Sequence, residues 1–277
     1  MDGLRVGYIP RPLKPDLDHA SVGSILFSSN RWRMTMERMP LPGYPAGAFL
    51  ILKREETMMT TSQRLHEAAR PIWDACLSHP FVTGIGDGTL PVEKFQYFML
   101  QDYMYLFDYA RVFALGVVKA RDPELMRTFA KNVDAILGGE MNIHRTYMAR
   151  LGISEEQVFA VKPALDNLSY THYMLAAAES GGPMEIVAAI LACSWSYAEI
   201  GQVLAKIPGA ADHPFYGEWI RGYASDDYAA TNQDLIDLMD ELSKDASPAQ
   251  LACLEEIFVH CSRYELGFWD MAWEMRP

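Results

Sequence analysis

The sequence predicts an all-α bundle preceded by a non-helical stretch, and three observations carry that prediction. Helix starts and stops follow one another almost without a break after residue 59. Strand signals are nearly missing over the same span. The segments opening near Pro91, Pro183 and Pro248 are long, rich in aromatics and apolar on more than one side, as helices in the middle of a bundle are. No internal repeat is visible, so residues 59–277 read as one helical domain.

The elements follow from their punctuation. Up to residue 58 the prolines at 10, 12, 15, 40, 42 and 45 interrupt any helical period, and one apolar run, Ala46 to Leu52, is short enough for a strand. Met59-Thr60-Thr61-Ser62 resembles an internal start, so residues 1–58 are expected to be an appended, irregular surface extension without catalytic duty. A first helix is expected from about Ser62 to Leu77, disturbed at Pro71. The stretch from His79-Pro80-Phe81 to Asp87-Gly88-Thr89 reads as a loop leading to Pro91, the opening of a long helix towards Ala120. Asp122-Pro123 caps a segment running to about Leu151 with Gly138-Gly139 inside it, and Ser154 with Gln157 fits a capping box. Further helices are expected at about 164–179, 183–207, 214–223 and 227–244, with the last from Ser247-Pro248 to about Met275.

Composition narrows the function. Hydrophobic residues are 50% and charged residues 22% of the 277, which is ordinary for a globular chain. A formal charge of −12 repels phosphate backbones and argues against nucleic acid as a partner. The start lacks the basic-then-apolar pattern of a secretory signal, and no apolar run is read as long enough to cross a bilayer. The cysteines Cys76, Cys193, Cys253 and Cys261 form no C-x-x-C pair and read as reduced thiols of a cytoplasmic protein. With 14 tyrosines and 6 tryptophans the chain has aromatics for a core, and also for a pocket that holds a flat ring.

Several residues could carry chemistry. Cys193 and Tyr197 are four apart and share a helix face, which sets a thiol beside a phenol. The alternative is a buried cysteine acting as a small hydrophobe. Asp102 lies in the apolar stretch Leu100 to Leu106, either facing water at a helix edge or buried with partners; Tyr105 is on a neighbouring face. Glu265 is flanked by aromatics that would raise its pKa and suit it to acid–base work, unless it pairs with Arg263 at the surface. Cys261 lies one turn before Glu265 and rivals Cys193 by pattern. Glu140 and His144 are an i, i+4 pair that could be half of a metal site, but carboxylate-bridged metal bundles use Glu-x-x-His, one residue shorter, and a structural contact between the two is expected. There is no H-E-x-x-H, phosphate-binding loop or dinucleotide fingerprint.

Taken together, the motifs resemble the thiaminase II (TenA) family from about Thr60 to Met275. They are His79-Pro80-Phe81-Val82 with Gly84-Ile85-Gly86-Asp87-Gly88-Thr89-Leu90-Pro91, Leu100-Gln101-Asp102, Gly139-Glu140-Met141 with His144, and Ser169-Tyr170-Thr171. Later come Cys193-x-Trp195-x-Tyr197-x-Glu199-Ile200-Gly201, His213-Pro214, and Tyr264-Glu265 with Phe268-Trp269. The resemblance implies a haem-oxygenase-like helical fold, a homotetramer, and a thiamine-salvage hydrolase that needs no metal or organic cofactor. The reaction implied is cleavage of aminomethyl-aminopyrimidine, and of thiamine, to hydroxymethylpyrimidine, with the degraded compound preferred. It implies Cys193 as the nucleophile that adds to the ring, Glu265 as acid–base, and Asp102 as partner of the pyrimidine amino edge. Tyr197 would contact the ring and Tyr105, Tyr170 and Tyr223 would complete the pocket, leaving Cys261 as a core thiol. The alternatives are a haem- or metal-binding oxygenase-like protein on the same fold, and a non-enzymatic regulator. The first 58 residues match nothing in that family.

Overall fold

The computed structural model describes residues 32–39, 49–56 and 59–277, and the chain divides into two compact units, Met1–Met59 and Thr60–Pro277. In the first unit, β1 (Trp32–Met39) pairs antiparallel with β2 (Phe49–Glu56), Trp32 opposite Glu56 and Met39 opposite Phe49. The irregular extension expected here is thus corrected to include a two-stranded hairpin. The expected run from Ala46 lies partly outside the described residues, and β2 extends past it to Glu56. The hairpin escapes a search for apolar runs because Arg33, Glu37 and Arg38 on β1 and Lys53 to Glu56 on β2 dilute both strands with charge.

The second unit begins with α1 (Thr61–Leu77), opened by a capping box between Thr60 and Gln63. It runs through Pro71 without a break, against expectation. Pro71 and Glu67 both lie on the exposed face, where the carbonyl freed by the missing N–H is open to solvent. The expected loop after it is instead α2 (Pro80–Asp87), with Pro80 at its first turn and the His79 ring accepting from the Phe81 N–H at 3.1 Å. Gly86 sits inside this helix for a packing reason: a Cβ there would lie 2.8 Å from both Leu204 and Ile207.

The long α3 (Val92–Lys119) follows, with Pro91 one residue outside it. Next comes α4 (Pro123–Asp134), where the Asp122 carboxylate accepts from the Glu124 and Leu125 N–H groups. The segment expected to run on to Leu151 does so through a π-helical turn, Ala135–Glu140, into α5 (Met141–Arg150). A short α6 (Glu155–Ala160) carries the expected Ser154–Gln157 capping box. Then follow α7 (Leu165–Ser180), α8 (Pro183–Leu204), α9 (Gly217–Tyr223), α10 (Asp226–Ser243) and α11 (Pro248–Glu274). Before α9 the chain turns instead of starting a helix at Pro214, because His213 Nδ1 accepts from the N–H groups of Phe215 and Tyr216.

At the centre, α8 packs against α11, α10, α7, α9 and α3, while α1 closes over α11. Contrary to expectation, α8 is long and apolar enough by composition to cross a bilayer, yet 72% of its most apolar stretch is buried inside the bundle. Its run from Ile186 to Ala192 is fully buried, because neighbours cover it on all sides. The expected all-helical bundle is therefore the architecture of this unit, with α3, α8 and α11 placing their polar side chains in its interior.

Candidate active site

The site grows from the few polar groups on apolar helices. Asp102, Tyr105 and Tyr109 come from α3, Tyr170 from α7, Cys193 and Tyr197 from α8, Tyr223 from α9 and Glu265 from α11. Burying them beside one another forces each to find a partner or to lose its charge.

Glu265 is 2% exposed and accepts a 2.6 Å hydrogen bond from the Tyr170 hydroxyl. Arg263 points to solvent, so the surface ion pair is not formed. Burial pushes the Glu265 carboxyl up to about 7, the Asp102 charge adds to the rise, and hydrogen bonds from Tyr170 and the Cys193 thiol offset part of it. Burial and the neighbouring Glu265 charge likewise push the Cys193 thiol well above its ordinary value, against a hydrogen bond from Tyr105. At rest the sulfur is a thiol, with the Glu265 carboxyl near enough for its charge to act on it. Cys261, the rival by pattern, is fully buried in the core.

Aromatic rings close around this pair. Tyr105 lies 5.2 Å from Tyr170 and 5.4 Å, stacked, from Tyr109. Tyr197 lies 4.9 Å from Tyr223 and 5.3 Å from Trp269. Tyr223 reaches this position because Gly201 of α8 lets the α9 backbone come close: a Cβ there would sit 2.6 Å from the Tyr223 carbonyl carbon. Gly201→Ala is therefore expected to push α9 outward, costing about 1–3 kcal/mol in a urea melt.

Asp102 is buried, and its Oδ2 lies 2.6 Å from His144 Nε2. The other ring nitrogen of His144 faces the Glu140 backbone carbonyl at 3.0 Å. The backbone carbonyl can only accept, so Nδ1 donates to it, and a carboxylate at Oδ2 favours a second proton on Nε2. Burial pulls the His144 pKa down from 6.5, but the hydrogen bond and charge of Asp102 outweigh it and the net shift is upward. Such a pair stabilises the fold fully below the unfolded value and loses its effect as pH rises through the higher folded one. His144→Ala, which strands the Asp102 carboxylate, is expected to cost on the order of 3 kcal/mol at pH 6 and less at pH 9 in paired denaturation curves.

The contact expected between Glu140 and His144 side chains is corrected: only the Glu140 backbone takes part, and the imidazole turns to Asp102. Local sequence assigns His144 no functional role and does not single out Tyr109. The signal for His144 was Asp102 itself, since a carboxylate buried in an apolar helix requires a cation. Among the described residues, no group of three or more His, Cys, Asp or Glu side chains is placed to hold a metal.

A cavity of about 400 Å³ opens beside these groups, lined by Tyr109, Glu140, His144, Ser194, Tyr223 and Tyr228 among others. Of the sequence-expected site residues only Tyr223 belongs to its wall. Cys193, Glu265, Asp102, Tyr105, Tyr170 and Tyr197 do not line it, and Asp102 is linked to it through His144.

Known proteins match this chain in sequence and in fold. The profile of the TENA/THI-4/PQQC family matches residues 66–275. A protein of Halalkalibacterium halodurans named aminopyrimidine aminohydrolase is 52% identical over 218 residues, covering 79% of this chain and 97% of its own. Among solved structures, a TenA homologue from P. horikoshii superposes with a TM-score of 0.72 at 32% identity, over 78% of this chain and 99% of that one. A heme oxygenase-like domain from Shewanella denitrificans, at 17% identity, shares the fold with a TM-score of 0.63 over 76% and 91% of the two chains. From residue 66 to residue 275, in fold as in sequence, this chain belongs to the TENA/THI-4/PQQC family, on its TenA (thiaminase II) side.

Proposed function

We propose that the protein is a thiamine-salvage hydrolase that converts aminomethyl-aminopyrimidine, and more slowly thiamine, to hydroxymethylpyrimidine by way of Cys193. The observation that carries this reading is the Cys193 thiol close enough to Glu265 for each to act on the other, with the Glu265 carboxyl buried, bonded by Tyr170 and held near 7 among aromatic rings. A base with that pKa is half ionised at neutral pH, so it can take a proton in one step and return it in the next.

In the proposed sequence, Glu265 takes the Cys193 proton as the sulfur bonds to a pyrimidine ring carbon and an electron pair moves onto a ring nitrogen. The pair then returns and expels the amine from the methylene, the leaving nitrogen taking the proton from Glu265. Water adds to the exposed methylene and gives its proton to Glu265. Finally the ring pair expels the sulfur, which recovers its proton, and aromaticity is restored. Substrate and water thus yield the alcohol and ammonia. Asp102 holds the amino edge of the ring. Its Oδ2 is occupied by His144, and among the described residues no group bonds its Oδ1, which is left to accept from an exocyclic amine. Tyr197 contacts the ring, and Tyr105, Tyr170 and Tyr223 bound the space around it.

The reading extends to a cytoplasmic homotetramer, for which the exposed Phe159, Leu165 and Val118 offer apolar surface, with residues 1–58 as an appendage to the catalytic unit. Hydrolysis of aminomethyl-aminopyrimidine and thiamine, followed side by side by release of hydroxymethylpyrimidine, tests it. Faster release from the degraded compound is expected, and no release from either overturns it.

A further inference from the structure

The proposed chemistry leaves unused a seam of polar aromatics where α7 meets α11. Tyr264 and His260 lie one turn apart on α11, opposite Ser169, Tyr170 and Tyr173 of α7. The Ser169 hydroxyl donates to the Tyr264 hydroxyl at 3.2 Å, and the Tyr173 hydroxyl lies 2.9 Å from His260 Nδ1. Between these two ties the Tyr264 ring stacks on Tyr170, with 5.3 Å between centroids and 10° between planes. Tyr264 and Glu265 are successive residues, so α11 grips one tyrosine of α7 twice: Tyr264 takes its ring and Glu265 takes its hydroxyl, at 2.6 Å. The other aromatic neighbour of Tyr264 is Tyr173, which has no bond to Glu265, so the path from Tyr264 to the carboxyl runs through Tyr170.

Resting on the proposed hydrolysis, we infer that Tyr264 is a positioning residue: its ring, lying flat on Tyr170, holds the Tyr170 hydroxyl against the Glu265 carboxylate. A phenol ring fixed in plane cannot swing its hydroxyl away, so the hydrogen bond is kept while Glu265 gains and loses its proton. That bond favours the charged form of Glu265 and opposes burial, which favours the neutral form. The other titratable groups facing Glu265 are Cys76 from α1, Asp102, Tyr105 and Tyr109 from α3, and Cys193 and Tyr197 from α8. Its own helix adds Cys261, and α2 brings only the exposed Asp87. Loss of the Tyr264 ring is therefore expected to leave Glu265 protonated to a higher pH.

The test follows the acidic limb of kcat/KM for aminomethyl-aminopyrimidine in Tyr264→Leu and Tyr264→Phe. Leucine fills the space without a flat face, and the limb is expected to move upward by about one pH unit. Phenylalanine keeps the stack and gives up only the Ser169 bond, so its limb is expected to stay within about 0.2 pH unit of the wild type. In a Tyr170→Phe background, where the hydroxyl is already gone, Tyr264→Leu is expected to move the limb no further. Carbon NMR titration of the Glu265 carboxyl, identified by its absence in Glu265→Gln, reads the same shift without turnover. An unmoved or lowered titration in Tyr264→Leu, an equal shift in Tyr264→Phe, or a further shift on top of Tyr170→Phe overturns the inference; a lower melting temperature alone is what a purely structural role would give. Should Tyr264→Leu not fold, Tyr264→Met is read in its place by the same criteria. A wild type that hydrolyses neither compound refutes the hydrolase reading, while the NMR titration still decides the role of Tyr264, so the two failures are distinguishable.

Discussion

Cys193→Ala is expected to abolish release of hydroxymethylpyrimidine, lowering kcat by about a thousandfold or more, while the melting temperature moves little. The fold tolerates the change because Cys193 is one side chain among many on α8, and alanine fills most of its space without adding a polar group. Chemistry does not tolerate it, since loss of a group from the methylene needs the sulfur to saturate a ring bond first. Cys193→Ser sharpens the result. A hydroxyl adds to the ring carbon far less readily than a thiol, and the ring pair expels an alkoxide much more slowly than a thiolate, so serine is expected to be as inactive as alanine. Single-turnover measurement of product release checks both variants, and full activity in either removes the nucleophile assignment.

The second large effect concerns Glu265. Glu265→Gln is expected to lower kcat by about 10²–10⁴-fold, because glutamine neither takes the thiol proton nor gives it to the departing nitrogen. The pH profile separates this from mere loss of packing. In the wild type, kcat/KM is expected to fall as pH drops through about 7, where the base becomes protonated. The residual activity of the variant lacks that limb. Stability moves the other way. The folded carboxyl titrates near 7 rather than 4.5, so the folded state holds more protons than the unfolded one between these values and stability falls as pH rises through that window. Above it the wild type carries a buried charge that glutamine lacks. Glu265→Gln is therefore expected to be more stable at pH 8 by on the order of 1–3 kcal/mol, and indistinguishable from wild type near pH 4, in denaturant titrations. An enzyme that becomes firmer as it becomes slower is what a functional buried carboxyl predicts.

Which parts of this were legible in the chain follows from the range of the interactions involved. Helix starts at Asp122, Ser154 and Ser247 are written in groups a few residues long, and each stands where the sequence places it. The stretch from Pro80 to Asp87 misled because Gly84 and Gly86 mark loops in isolation. Only the approach of Leu90, Leu204 and Ile207 makes them useful inside a helix. Pro71 misled for a related reason, since its cost depends on whether the freed carbonyl meets water. Charge along β1 and β2 concealed a hairpin that exists through cross-strand pairing.

By itself, then, the sequence determined the helical unit from Thr60 onward, the family to which it belongs, and the short set of thiol, carboxylate and phenol side chains able to do chemistry. The choices left open among them were decided only when distant helices met. Whether Asp102 faced water or the interior, whether Glu265 paired with Arg263 or Tyr170, and whether His144 served Glu140 or Asp102 depend on residues 42 to 95 positions apart. Local spacing fixes backbone hydrogen bonds within a helix. The protonation state of a buried acid is set instead by what surrounds it in three dimensions, and that environment exists only once α3, α5, α7, α8 and α11 have packed.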